Sequence, residues 1–247
     1  MTRAGIVLRH LRARPLRTLL TVGAFSFSVG LLGFLLALNE AFHRDFSPYT
    51  AQRIVVMGKG SFLDRLPLAY EARIQKLEGV LGVAPFDFMI AGRGNMKAEN
   101  QVNVTGVPAE KLLAIYREAN LTDAHRKAWL EDPRGAMVGG MLVKRFGWKV
   151  GDRIVLVAPV PGGVFETTVR AVMRYETDNG VYLHRRYFEG TTGNDREAMM
   201  FWVLARTREA VQPLTVAIER ELENAPAPIR AMTEKQWQLS WLQMMGS

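Results

Sequence analysis

Apolar and polar positions divide this chain into one long uncharged run and a body of short alternating segments. From Thr18 to Asn39 there are 22 consecutive uncharged residues, TLLTVGAFSFSVGLLGFLLALN. At ~1.5 Å per residue such a helix spans ~33 Å, enough for a hydrocarbon core of ~30 Å. Gly23, Gly30, Gly33, Ser26 and Ser28 are poor in a water-exposed helix but common in membrane helices, where small residues let a neighbouring helix approach. A cleavable signal peptide has an apolar core of only ~7–15 residues and a small-x-small exit, and Leu38-Asn39-Glu40-Ala41-Phe42 offers no Ala-x-Ala. The run therefore predicts a permanent transmembrane helix over 18–39.

Beyond it the period switches repeatedly. Ile54–Met57 is a β-branched run ended by Gly58-Lys59-Gly60, and Pro67 opens a helix with Tyr70, Ile74 and Leu77 on one face. Val83–Ile90 reads as a strand closed by a turn at Gly92–Asn95, and Gln101–Val107 as the next. A helix follows Pro108-Ala109, a polar helix Thr122–Leu130, and a short helix Met141–Phe146 stopped by Gly147. Arg153–Ala158 and Val164–Tyr175 are strands joined by Pro159-Val160-Pro161-Gly162-Gly163; Phe165, Thr167, Val169, Ala171 and Met173 share one face at period two. After the Asp178-Asn179-Gly180 turn come strands Val181–Leu183 and Met199–Ala205. A helix starting near Val211 then carries Leu214, Ile218 and Leu222, and strand Ile229–Met232 ends the pattern. Thr233-Glu234-Lys235-Gln236 has the spacing of a capping box. Trp237 and Trp241, i and i+4 on the helix it starts, suit either a core or a membrane-interface belt.

Charge sets the orientation. Residues 1–39 hold five arginines and no acid, while Glu40, His43, Arg44 and Asp45 follow the run with mixed sign. Arg9, Arg12, Arg14 and Arg17 therefore set the topology, with residues 1–17 as a cytoplasmic basic segment and everything after Asn39 outside. Residues 4–14 suit either a short helix in the headgroup region or a plain basic flank. Of the formal net charge of +8, the remaining 27 Lys and Arg against 24 acids leave only +3 beyond the N-terminus, so nucleic acid loses its support as a partner. The chain has no Cys and four scattered His, which removes disulfides, thiolate nucleophiles and zinc ribbons. Gly58-Lys59-Gly60-Ser61 lacks the glycine and the Ser/Thr of a phosphate loop, and neither a G-x-S-x-G elbow nor a G-x-G-x-x-G after a strand occurs. No catalytic, metal or cofactor-binding set emerges.

The segment RHLRARPLRTLLTVGA (residues 9–24) resembles the first-helix signature of MacB-like, FtsX-type ABC transporter permeases, a family that includes the lipoprotein-releasing permeases. Val104-Thr105-Gly106-Val107 and MLVKRFGWKVGDRIVLV (141–157), with its Gly151-Asp152 pair, are similar to further family elements. The resemblance implies an α+β fold: one N-terminal transmembrane helix, then a two-lobed extracytoplasmic α/β domain of short strand-helix-strand units. Residues 40–95 and 180–233 would form the membrane-proximal lobe, 96–179 an inserted one, and 234–247 a helix returning toward the membrane. Family members carry three more membrane helices, so the chain is expected to be a fragment of a four-span subunit. The five-residue tip Pro159–Gly163 looks too short for the hook of the lipoprotein-releasing branch; it suits either a partner loop or a plain hairpin connection.

The implied function is that of a permease subunit in the bacterial inner membrane, with its main domain periplasmic. It would not itself be an enzyme. Its partners would be a cytoplasmic ATP-binding subunit, a second permease copy packed at Gly23, Gly30 and Gly33, membrane lipid, and a periplasmic protein. The competing class is a single-span anchored binding or scaffold protein without an ATPase partner; an extracytoplasmic enzyme is third, for want of a catalytic constellation. A reporter active only outside the cytoplasm is expected on when fused after Tyr175 and off when fused before Arg17. If insertion and orientation survive exchange of Arg9, Arg12, Arg14 and Arg17 for Glu, the charge argument is wrong.

Overall fold

The computed structural model describes residues 15–44, 50–159, 163–173 and 178–245. The chain forms two units, one ending at Asp45 and one starting at Phe46. Helix α1 (Pro15–Arg44) is the first. It contains the expected span and starts three residues earlier, because Pro15 sits in the first turn, where its missing N–H forfeits no helical bond. Its segment Pro15–Ala37 has a mean hydropathy of 2.1 and buries nothing within the chain. The Thr21 and Ser28 hydroxyls donate to the carbonyls of Arg17 and Ala24, both at 2.9 Å, so α1 satisfies these polar groups itself. The basic stretch 4–14 lies outside the described residues.

The second unit is built on strands β1 (Arg53–Gly58), β2 (Leu66–Pro67), β3 (Val80–Arg93), β4 (Gln101–Val107), β5 (Gly135–Val138), β6 (Arg153–Ala158), β7 (Gly163–Val172), β8 (Gly180–His184), β9 (Glu197–Ala198), β10 (Met200–Ala205) and β11 (Ile229–Thr233). Four of them, β11-β1-β10-β3, pair antiparallel. Strand β3 is 14 residues long and belongs to two pairings: Val80–Phe86 faces β10, and Asp87–Gly92 faces β4. From β4 the order continues β8-β5-β7-β6, and β6 pairs back onto the end of β3 through Gly92↔Val157 and Arg93↔Leu156. Six strands thus close a ring. Pro85 lies inside β3 without breaking it. Phe86 points its carbonyl at Met199 on the β10 side, so Pro85 turns its missing N–H to the other side, where β4 pairing starts only at Asp87.

Helices α2 (Ala69–Gln75), α3 (Ala109–Ile115), α4 (Asp123–Glu131), α5 (Gly140–Phe146), α6 (Arg185–Thr192), α7 (Val211–Glu221) and α8 (Glu234–Met245) complete the unit. Ile54, Val56, Phe201 and Val203 pack with Ile74 of α2 and Leu214 and Ile218 of α7 on one sheet face. The alternate residues Val55, Met200, Trp202 and Leu204 pack with Leu112, Ile115 and Trp129 on the other. Both faces are covered, so these strands read as unbroken apolar runs. The third cluster joins Val104, Val138, Ile154, Leu156, Phe165 and Val181 of the ring strands to Leu142, Trp148 and Phe188.

Several sequence expectations shift. Pro67 pairs with Glu197 in β2 instead of opening a helix, and α2 starts at Ala69. Strand β5 and helix α6 have no counterpart in the sequence reading: β5 has only four residues, and α6 carries Arg-Arg at its start and Thr-Thr at its end. Strand β8 lies between β4 and β5 and therefore belongs to the ring. Gly147 closes α5 at φ 69° as a left-handed C-terminal residue. Asp152 accepts from the Lys149 amide at 2.8 Å, bracing the turn ahead of β6.

Gly106 is fixed by close approach: a Cβ there would lie 2.4 Å from Cγ of Phe188. Phe188 is 1% exposed and stacks on Phe165, so it cannot withdraw. Gly106→Ala is therefore expected to destabilise the domain by about 1–3 kcal/mol, read as a lower thermal midpoint of the full chain in detergent. An unchanged midpoint would mean the ring core yields there.

Candidate functional site

The register of β11 on β1 creates a charged node in the interior. Ile54 lies opposite Thr233, so Arg53, one step back, meets Glu234 at the start of α8. Arg53 is 1% exposed. Its Nε donates to Glu234 Oε2 at 2.5 Å, one Nη1 bond goes to Glu118 Oε1 at 2.6 Å, and Nη2 reaches Thr50 Oγ1 at 3.2 Å. Nη1 also reaches the Ile115 carbonyl at 3.4 Å, and the guanidinium lies 4.4 Å from the Tyr116 ring centroid. One side chain thus joins the 3-10 turn Thr50–Gln52, β1, the segment after α3, and α8.

The charges around it do not balance. Two carboxylates share one guanidinium, and Asp178 lies within electrostatic reach of Glu118. Burial pushes the Glu234 carboxyl up, against the pull of Arg53, and Glu118 pushes it further. Burial likewise raises Asp178, with a further push from Glu118, although the Tyr182 hydroxyl and the Gly180 amide each donate to it at 2.7 Å. Burial also raises the Tyr116 and Tyr182 phenols, keeping both protonated.

A second node marks the point where β3 changes partner. Asp87, fully buried, accepts from Arg65 Nη1 at 2.7 Å and from Arg185 Nη1 at 2.6 Å. Arg185, the first residue of α6, also meets Glu189 at 2.6 Å and the Glu197 carbonyl at 2.8 Å. Beside the Arg53 node lies an aromatic tier. Trp237 stands edge-on to Trp202 at 5.4 Å, Trp241 lies 4.9 Å from Phe62 and 5.8 Å from Phe88, and Trp237 and Trp241 stack at 6.3 Å. The Thr233–Gln236 box forms reciprocally, with Thr233 N to Gln236 Oε1 at 2.9 Å and Gln236 N to Thr233 Oγ1 at 3.2 Å.

Arg17 is exposed on α1, while Arg9, Arg12 and Arg14 lie outside the described residues. Around Gly23, Gly30 and Gly33 there is open space. Of the tip, Pro159 ends exposed after β6 and Gly163 opens β7; Val160, Pro161 and Gly162 lie outside the described residues. Neither node was anticipated. Asp87 leaves a trace in the sequence, a lone acid between Phe86 and Phe88 inside an apolar strand. Arg53 leaves none, because a charge at a strand end is ordinary. Among the described residues no group of His, Cys, Asp and Glu could hold a metal ion.

The sequence model of the MacB-like periplasmic core domain matches residues 18–221, most of the chain. The chain belongs to this family. It is thus a MacB-like periplasmic domain of an ABC-type transporter permease, with one helix, α1, long and apolar enough to cross a membrane among the described residues. Solved structures share the fold. The extracellular domain of the noncanonic ABC-type transporter YknZ from Gram-positive bacteria aligns at a TM-score of 0.53 and 13% identity, over 73% of this chain and 99% of its own. The periplasmic region of MacB from Actinobacillus actinomycetemcomitans aligns at 0.51 and 10% identity, over 80% of this chain and 97% of its own. No curated protein matches in sequence.

The raised Asp178 carboxyl makes a signed prediction for this MacB-like domain. Its ordinary value is 3.8, and the folded state lifts it, so the folded protein holds a proton that the unfolded chain releases. The corresponding stability is present below the ordinary value and is lost as pH rises through the raised one. As pH rises past the ordinary value and through the raised one, the wild-type thermal midpoint should therefore fall relative to Asp178→Asn, which carries no titrating group there. Parallel curves for the two proteins would refute the assignment.

Proposed function

We propose that this chain is the membrane-anchored part of a permease subunit that passes force between a cytoplasmic ATP-binding subunit and a substrate outside the cytoplasm. The observation that carries the reading is the family match running through both α1 and the folded domain. The Arg53 node supports the mechanical part. It ties the first turn of the domain to its last helix, so a pull on either end loads a packed body instead of fraying an edge strand. In this reading the four-strand sheet and the six-strand ring act as the two lobes, and Gly23, Gly30 and Gly33 offer the close-packing face to a second copy. Trp237 and Trp241 hold α8 against the sheet where the chain returns to the membrane interface. The Pro159–Gly163 tip is the surface offered to a periplasmic partner, since proline stiffening lowers the entropy lost on binding. The N-terminus is cytoplasmic and the domain lies outside.

Purification of the protein from its own membranes should bring down an ATP-binding subunit, and the pair should hydrolyse ATP while the permease alone does not. Repeated recovery of the permease without such a subunit would favour an anchored scaffold instead.

A further inference from the structure

We propose that Glu118 is the releasable half of the Arg53 node, a clasp that opens while Arg53 stays bound to Glu234. Four independent features converge on this residue. First, its closed position is only half satisfied: Oε1 meets Arg53 Nη1, but the buried Oε2 has no hydrogen-bond partner. A carboxylate oxygen buried without a donor forfeits hydration that any move toward water restores. Second, it sits among like charges, sharing its one cation with Glu234 and standing within reach of Asp178. Burial strengthens those repulsions as much as it strengthens the attraction to Arg53. Third, its departure strands nothing. Arg53 keeps Glu234 on Nε, Thr50 on Nη2 and the Tyr116 ring, so no buried cation is left alone. Loss of Glu234 would do more damage, since that carboxylate also accepts from Gln238 at 3.1 Å and starts α8. Fourth, the backbone carrying Glu118 is irregular. It is a single 3-10 turn, Arg117–Ala119, entered through Tyr116 at φ −95° and ψ 70°, and left through Asn120, the one described non-glycine residue with positive φ, at 45°. The Glu118 side chain is already 11% exposed, so a small rotation of this turn carries it into water.

Opening the clasp releases the Arg117–Ala119 turn from its ion pair with β1, while Tyr116 stays over Arg53 and α8 stays anchored through Glu234. In the transport cycle this would let the helices over the sheet shift without unravelling the ends of the domain, a consequence that rests on the permease reading above. The clasp itself does not.

The sign of one substitution separates a strained clasp from an ordinary ion pair. Glu118→Gln keeps an acceptor for Arg53 Nη1 and removes the repelling charge. In the full chain in detergent, amide exchange at residues 117–120 is expected to slow about five-fold or more, as the closed state gains population. An ordinary buried pair predicts the opposite, faster exchange on losing a charge, and either faster or unchanged exchange overturns the proposal. Glu118→Ala guards against a folding artefact: its thermal midpoint should stay within about 2 °C of wild type, whereas a stabilising pair would lose far more. With the ATP-binding subunit present, Glu118→Gln should hydrolyse ATP but transport more slowly per turnover. Wild-type transport despite slowed exchange would overturn the role in the cycle. Absence of any ATP-binding partner would defeat the permease reading alone and leave the exchange result standing.

Discussion

The domain depends on β3 serving two sheets at once. A strand must find hydrogen-bond partners along its length, and β3 finds them in succession, β10 for its first half and β4 for its second. That single constraint fixes the four-strand sheet to the ring, because neither can rotate without tearing the ladder on one side of Asp87. The Asp87 node occupies the switch itself, where the backbone leaves one partner and takes the other. Two arginines from outside the strand, Arg65 and Arg185, compensate its buried charge. Removing either would leave a carboxylate short of a partner in a dry site, so the node also fixes where α6 starts.

Around this shared strand the apolar residues sort by alternation into three clusters. The middle one contains Val55, Phe86 and Trp202 from the sheet, Leu112 and Trp129 from helices α3 and α4, and Met137 and Tyr182 from the ring strands. Helices α3 and α4 thus pack across a face of the sheet and share its core. The Arg53 node stands out against this apolar packing as a buried polar contact between elements. A buried arginine shared by two acids is a poor source of net stability, because desolvation of the three charges offsets their attraction.

Much of the outline was legible in the sequence. The uncharged run gave α1, since only a membrane or a deep core tolerates 22 such residues and composition favoured the first. Strands β1, β4, β6 and β10 and helix α7 followed from period and punctuation, and the Thr233–Gln236 cap from spacing alone. These features are local: a few neighbouring residues decide them. The family resemblance at residues 9–24 and 141–157 was legible for the same reason.

What the tertiary structure decided is everything that depends on a distant partner. Strand β5 is four residues long and exists because β7 and β8 flank it, and helix α6 forms from a polar stretch because Phe188 fills the ring. The assignment of β8 to the ring follows from pairing with β4, 77 residues away, which no local period records. Arg53 reads in sequence as a solvated strand end. Only the register of β11 on β1, and the return of the chain after α3, bring Glu234 and Glu118 to it. Charge pairing is a matter of a few ångströms in space, and sequence order carries no record of it.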